Sequence, residues 1–172
     1  MTFLRAFMLL ALVVWVGGII FFAFVLAPNL FSMLETELAG DVVRRNLAFL
    51  HLMGFVSAVV FLICSLLYSR VKIGRLKPFA LVNVLVLLML VFTLISQFRV
   101  MPKMDIVRTE IHFMRTDDAR PVKYFAGWDV KGQLLPAAEA RFDRLHRWSV
   151  RLEGGALFLG LVVVVLTARR FS

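Results

Sequence analysis

Four apolar stretches divide this chain, roughly Phe3 to Ala27, Leu47 to Tyr68, Phe79 to Gln97 and Trp148 to Ala168. Each is close to the twenty or so residues that a helix needs to cross the hydrocarbon of a bilayer. Hydrophobic residues make up 61% of the chain and charged residues 18%, well above the apolar share of about half that is usual in soluble domains. The pattern predicts an all-α integral membrane protein, an up-down bundle of four transmembrane helices in one domain covering residues 1–172. A cap of helix and loop, about residues 99–147, lies between spans three and four on the outer face. The first stretch is not a secretory signal: its core exceeds a signal h-region, and Leu26-Ala27-Pro28 is a poor cleavage site.

Charge predicts the orientation. Arg5, Arg70, Lys72, Arg75, Lys77, Arg169 and Arg170 lie at the N-terminus, between spans two and three, and at the C-terminus, with no acidic residue among them. By the positive-inside rule these ends are cytoplasmic, and the expected location is a bacterial inner membrane. Every Asp and Glu falls on the other side. The net charge of +9 therefore reflects topology, and short juxtamembrane clusters of this kind are not a nucleic-acid footprint. Cys64 is the single cysteine, so no intrachain disulfide forms.

Span one is expected to end at Ala27-Pro28-Asn29. LFSMLETELAG then reads as a short surface helix closed by Gly40, with Asp41 capping a helix that begins near Val42 and passes His51 to Tyr68. Pro78 suits the first helical position of span three. Met101-Pro102 should kink that span before PKMDIVRTEIHFMR resumes an amphipathic pattern on Ile106, Val107, Ile111 and Met114. Thr116 to Leu135 is the one real loop, a lid or a short hairpin, and Pro136 starts a long final helix to Arg169. Small residues mark packing seams at Gly17 and Gly18, at Gly54-x-x-x-Ala58, and at Gly154, Gly155 and Gly160.

The segment FDRLHRWSVRLE, Phe142 to Glu153, runs without a break into the last apolar stretch. At about 100° per residue, Phe142, His146, Ser149 and Glu153 share one helical face, while Arg144, Trp148 and Arg151 lie opposite. The first face is a candidate site turned into the bundle and the second an interfacial anchor. His51 enters the membrane from the same side on another helix, on a face with Gly54, Ala58 and Ser65. Asn29, Gln97, Ser149 and Glu153 can gather around His51 and His146 as a ligand-binding group or proton path, since ionisable groups inside spans face bundle interiors or aqueous cavities.

Several chemistries fit this set. Two imidazoles from facing helices supply axial ligands to haem b, with the space beside Gly54 accommodating the ring. A metal would need His51 as well as His146 and Glu153. Glu153, Ser149 and His146 alternatively form a proton path, or simply satisfy their neighbours at the membrane surface. Met33, Met53, Met101, Met104 and Met114 lie on or near the outer side, where thioethers favour Cu(I), although methionine also fills apolar gaps. Phe21, Phe22, Phe24 and Phe31 form either a flat-ligand wall or lipid-facing surface. Trp15, in mid-span, packs inside, and Tyr124 and Trp128 of the loop dip into the interface or cover the vestibule. No phosphate loop, nucleophile elbow, HExxH or CxxC is present, and His112 reads as a solvated surface residue.

Trp15-Val16-Gly17-Gly18, Ala27-Pro28-Asn29-Leu30-Phe31 and Phe142 to Val150 give the chain a resemblance. It is similar to a family of small, uncharacterised four-span membrane proteins of bacteria that includes a eukaryotic secretory-pathway transmembrane protein. That family brings a fold without an assigned activity. More loosely, the intramembrane histidines near one face resemble copper-resistance membrane domains and four-helix haem-binding oxidases.

The sequence thus points to a membrane protein with an outer-leaflet polar vestibule for haem b, a metal or a polar ligand. The rival reading is an accessory subunit that associates through its helices with a membrane-protein partner or a second copy of itself. A small transporter is a third, although the inner half offers little polarity beyond Asn83, Cys64 and Ser65.

Overall fold

The computed structural model describes residues 2–76, 78, 80–115 and 130–171. Every regular element among them is helical: α1 (Thr2–Phe21), α2 (Ala27–Met33), α3 (Thr36–Ile73), α4 (Leu81–Ile95), α5 (Met101–Arg115) and α6 (Val130–Phe171). Two five-residue π-helical turns, Phe22–Leu26 and Ser96–Val100, join α1 to α2 and α4 to α5 without a break. Four continuous stretches are long and apolar enough to cross a membrane: Thr2–Met33, Thr36–Lys72, Leu81–Arg115 and Leu134–Arg169. The protein is therefore an integral membrane protein with four spanning helices.

These helices are longer than the apolar stretches, and the difference corrects several boundaries. Span one does not stop at Ala27-Pro28-Asn29. Its helix continues to Met33, because the Ala27 N–H reaches back five residues to the Phe22 carbonyl just before the proline. The Asn29 side-chain amide adds a donor where Pro28 has none, bonding the Val25 carbonyl at 2.7 Å. The chain bends only at Leu34, where the backbone becomes extended. Nor does Gly40 close a surface helix or Asp41 cap the next one. Both lie inside α3, whose N-cap position is Glu35. A glycine inside a helix costs about 1 kcal/mol relative to alanine, too little to interrupt a 38-residue helix.

Met101-Pro102 likewise falls within continuous helix, preceded by the second π turn. Pro78 does not begin span three; the first bonds of α4 run from Asn83 and Val84 to the Ala80 carbonyl. Pro136 does not start the last helix either, since α6 begins at Val130 and contains it. Most of the expected loop, residues 116–129 with Tyr124 and Trp128, lies outside the described residues, as do Lys77 and Phe79.

The chain forms two compact units. The first comprises Met1–Leu94 and Glu153–Ser172 and holds α1, α2, α3, α4 and the second half of α6. Its antiparallel register is fixed by glycines that admit a side chain from a neighbouring helix. A Cβ at Gly54 would lie 2.5 Å from Trp15 Nε1, and one at Gly18 would lie 2.9 Å from Leu50 Cδ1. Along α1 and α3 these contacts follow Arg5 against Tyr68, so the partner numbers fall as α1 ascends. α6 runs antiparallel to α4 by the same device: Gly155 faces Phe92, and Gly160 faces Met89 together with Val16 of α1. Trp15, Phe61, Leu12, Met8, Met89 and Val86 fill the core between them. Gly17 and Gly154, expected at seams, face nothing within 4 Å.

The second unit, Ile95–Leu152, pairs α5 with the first half of α6. Arg115 bonds Glu139 and Arg141 bonds Glu110, each at 2.8 Å, and the Arg108 guanidinium lies 5.7 Å from the Phe142 ring centroid. These pairs are exposed and each is worth roughly 0–1 kcal/mol, so they set the antiparallel register more than the stability. Met101, Met104 and Val107 form the buried stripe of α5. Ile106, expected on that face, is instead exposed.

The glycine contacts give a direct test by thermal melts in detergent. Gly54→Val, which drives carbons into the Trp15 indole, should destabilise by about 1–3 kcal/mol, whereas Gly17→Ala and Gly154→Ala should leave the melting temperature close to that of the parent. Equal effects at all three positions would refute the register.

Candidate functional site

His51 is buried, at 4% exposure, in a helix whose surroundings are almost entirely apolar. The sequence places it on the packed face of α3 with Gly54, Ala58 and Ser65, and Ala58 and Ser65 are both fully buried. Its Nε2 lies 2.6 Å from Oε1 of Glu153 in α6, whose side chain is 17% exposed. Such a separation belongs to charge-assisted hydrogen bonds, which are shorter and about twice as strong as neutral ones. The pair is confined to the first unit and is held from both sides. On α3, the Leu50–Gly18 and Gly54–Trp15 contacts bracket His51 and set its depth against α1. On α6, Gly155 seats Phe92 two residues beyond Glu153 and sets that helix against α4.

Chemically, the pair is an imidazole and a carboxyl group within hydrogen-bond distance. With the carboxylate ionised, His51 Nε2–H donates to it; a proton moving onto Oε1 reverses the donor. Both atoms are basic, and burial makes leaving either one without a partner expensive.

The other candidate residues occupy different settings. Asn29 is exposed and uses its amide on the Val25 carbonyl of its own helix. Gln97 is half-buried in the π turn Ser96–Val100 of the second unit, where Ser149 is buried. His146 does not turn into a bundle interior: it is exposed, and its ring is parallel to that of Phe142, with centroids 6.4 Å apart. Beside it the Arg151 guanidinium sits 5.7 Å from the exposed Trp148 ring, so the face opposite Ser149 does present an aromatic and a cation outward. Met33 is exposed, whereas Met101 and Met104 pack as ordinary core residues of α5. Phe21, Phe24 and Phe31 are exposed as lipid-facing surface.

These positions bear on the proposed cofactors. The room beside Gly54 is taken by the Trp15 indole, and the Nε2 of His51 is engaged by Glu153. His51 therefore offers haem b neither the axial nitrogen nor the ring space, and the residues do not fit that group. Among the described residues, no group of three His, Cys, Asp or Glu side chains is placed to hold a metal ion.

Sequence reasoning missed a second polar group in the first unit. Arg5 and Lys72 stand out in the sequence only as topology charges, yet both surround the fully buried Tyr68. The i, i+4 spacing of Tyr68 and Lys72 was a visible signal; Arg5 needed the helix register. Ser69 and Thr167 are also buried, so the polarity of this half extends beyond Asn83, Cys64 and Ser65.

A double-mutant cycle measures the central pair. Removing one partner, as in His51→Leu or Glu153→Leu, should cost about 3–5 kcal/mol, because it strands the other polar group. The double variant His51→Leu/Glu153→Leu should recover most of that loss. Additive losses in unfolding titrations would mean that the two groups do not interact.

No curated protein and no solved structure matches the chain. Residues 10–112, more than half of it, match a family described as a domain of unknown function, DUF4149. The match includes Trp15 to Gly18, Ala27 to Phe31 and His51, and ends before Phe142 to Val150 and Glu153. The chain belongs to the DUF4149 family.

Proposed function

We propose that this membrane protein carries a proton-exchanging polar site, centred on His51 and Glu153, that takes a small polar ligand from the side of the membrane away from both termini. The observation that carries the reading is the 2.6 Å contact between a buried imidazole and a carboxylate within an apolar bundle. Ionisable groups at such depth are costly and mark ligand or proton sites in membrane proteins. The orientation rests on charge: all acidic residues fall in 35–41, 105–143 and at Glu153, whereas the segments joining the opposite helix ends are basic. The acid-free ends carry seven Lys and Arg against thirteen on the other side, so the reading of cytoplasmic termini and a bacterial inner membrane rests on net charge and not on the count that the positive-inside rule uses.

A second reading, helix association with a membrane partner or another copy of this chain, draws on Gly17 and Gly154. Both leave open space along their helices, where small residues let a neighbouring backbone approach closely.

Infrared difference spectroscopy of the reconstituted protein tests the proton site across roughly pH 5–8, the range in which imidazoles ordinarily change charge. The expected spectrum contains a carboxyl band that Glu153→Gln abolishes and His51→Gln displaces. A spectrum that neither substitution alters would sink the proposal. For orientation, a green fluorescent protein fused at the C-terminus should fluoresce in bacterial cells, while alkaline phosphatase fused within residues 116–129 should be active. The reverse pattern would invert the topology and place the site on the cytoplasmic side.

A further inference from the structure

At the other end of the first unit, the α1–α3 register brings two cations onto one phenol. Arg5 Nη2 donates to Tyr68 Oη at 3.1 Å. Its guanidinium carbon is 5.5 Å from the Tyr68 ring centroid, and Lys72 Nζ is 5.6 Å from the same centroid. Tyr68 is fully buried, Arg5 is half-buried and Lys72 is exposed, so the cations form the accessible rim of a sealed ring. Cation–π attraction to the ring holds both head groups in place.

Two further features say what this rim receives. Arg70, Arg75 and Arg169 occupy neighbouring helix ends, and the sequence has no Asp or Glu before Glu35, between 42 and 104, or after Glu153. The local charge is therefore strongly positive. Lys72 also ends the apolar span Thr36–Lys72, and Arg5 lies near the start of Thr2–Met33, where hydrocarbon gives way to headgroups. On α3, Leu67 and Val71 flank Tyr68 and Lys72 on the helix surface and are exposed apolar side chains. A phosphate on the rim would thus have acyl chains alongside it.

We propose that Arg5 and Lys72 bind the phosphate of an anionic phospholipid headgroup, with Tyr68 as the positioning residue that holds both cations. The apolar flank favours a lipid over free phosphate, since the acyl chains of a headgroup seated on the rim would run along those side chains. Basic positions between transmembrane helices at a membrane surface suit such headgroups.

Native mass spectrometry of the full-length protein, released from mixed phosphatidylglycerol and phosphatidylcholine micelles, reads the preference directly. The parent should retain phosphatidylglycerol selectively, and Arg5→Gln and Lys72→Gln should each lower that selectivity about five-fold. Lys72 is exposed, so its variant tests the site even if Arg5→Gln fails to fold. Arg45→Gln, at the other end of α3, should retain the parent selectivity, and Tyr68→Leu should lose it while Tyr68→Phe, which keeps the ring, retains more. Equal retention of the two lipids, or an unchanged Lys72→Gln, would overturn the proposal. Displacement of phosphatidylglycerol by millimolar inorganic phosphate would overturn the lipid assignment in favour of the free anion.

Discussion

In hydrocarbon no water is available to backbone amides and carbonyls, so each must find its partner within its own segment. Most of the architecture follows from that requirement. It does not reach Gly40 and Asp41 in the first turns of α3, where a glycine's cost of about 1 kcal/mol is simply too small to interrupt a 38-residue helix. It does explain the two π turns. Pro28 and Pro102 lack N–H donors and crowd the preceding turn; in both cases the residue just before the proline, Ala27 or Met101, donates its N–H five residues back and closes the wide turn. The helix widens for one turn instead of breaking, and the span continues.

That constraint also explains what was legible in the sequence and what was not. The existence of four spans follows from the lengths of the apolar stretches, and the structure has four helices fit to cross. Trp15 in mid-span and the Gly54–Ala58 pair were readable as packing residues, and both are buried on the α1–α3 side. Boundaries were less legible, because Gly40, Asp41, Pro78 and Pro136 were read with rules drawn from helices in water. At these positions outside the apolar stretches, neither a glycine nor a proline near the start of a long helix is enough to end it. The polar residues divided the same way. Periodicity put His51 on a packed face, and Glu153 was recognised as an intramembrane carboxylate. Periodicity within one helix carries no information about the partner on another, so the His51–Glu153 contact had to come from the tertiary register. For the same reason His146, which shares a nominal face with Glu153, was placed facing inward although it is exposed.

The first unit keeps polarity at two levels. His51 and Tyr68 are seventeen residues apart on α3, about 25 Å along a helix. Trp15, Phe61, Leu12 and Met89, all nearly or fully buried, fill core positions of the helices that meet there. An apolar layer of this kind separates the His51–Glu153 pair from the end that carries Arg5 and Lys72. Each level is bounded by a glycine contact or a capped helix end: Gly54 against Trp15 below His51, and the left-handed Gly74 closing α3 just beyond Lys72.

The π turns also change how these helices should be counted. A turn that closes over five residues inserts one position into the α-helical count and rotates everything beyond it by about 100°. The stripe of buried residues in α4, Val82, Val86, Met89 and Thr93, continues through Ser96 and Val100 of the wide turn to Met104 and Val107 of α5, and the turn adds Met101 to it. A sequence differing by one residue within either turn need not have lost a piece of the fold. It would have exchanged a wide turn for an ordinary one, re-aiming every side chain beyond it while leaving the span intact.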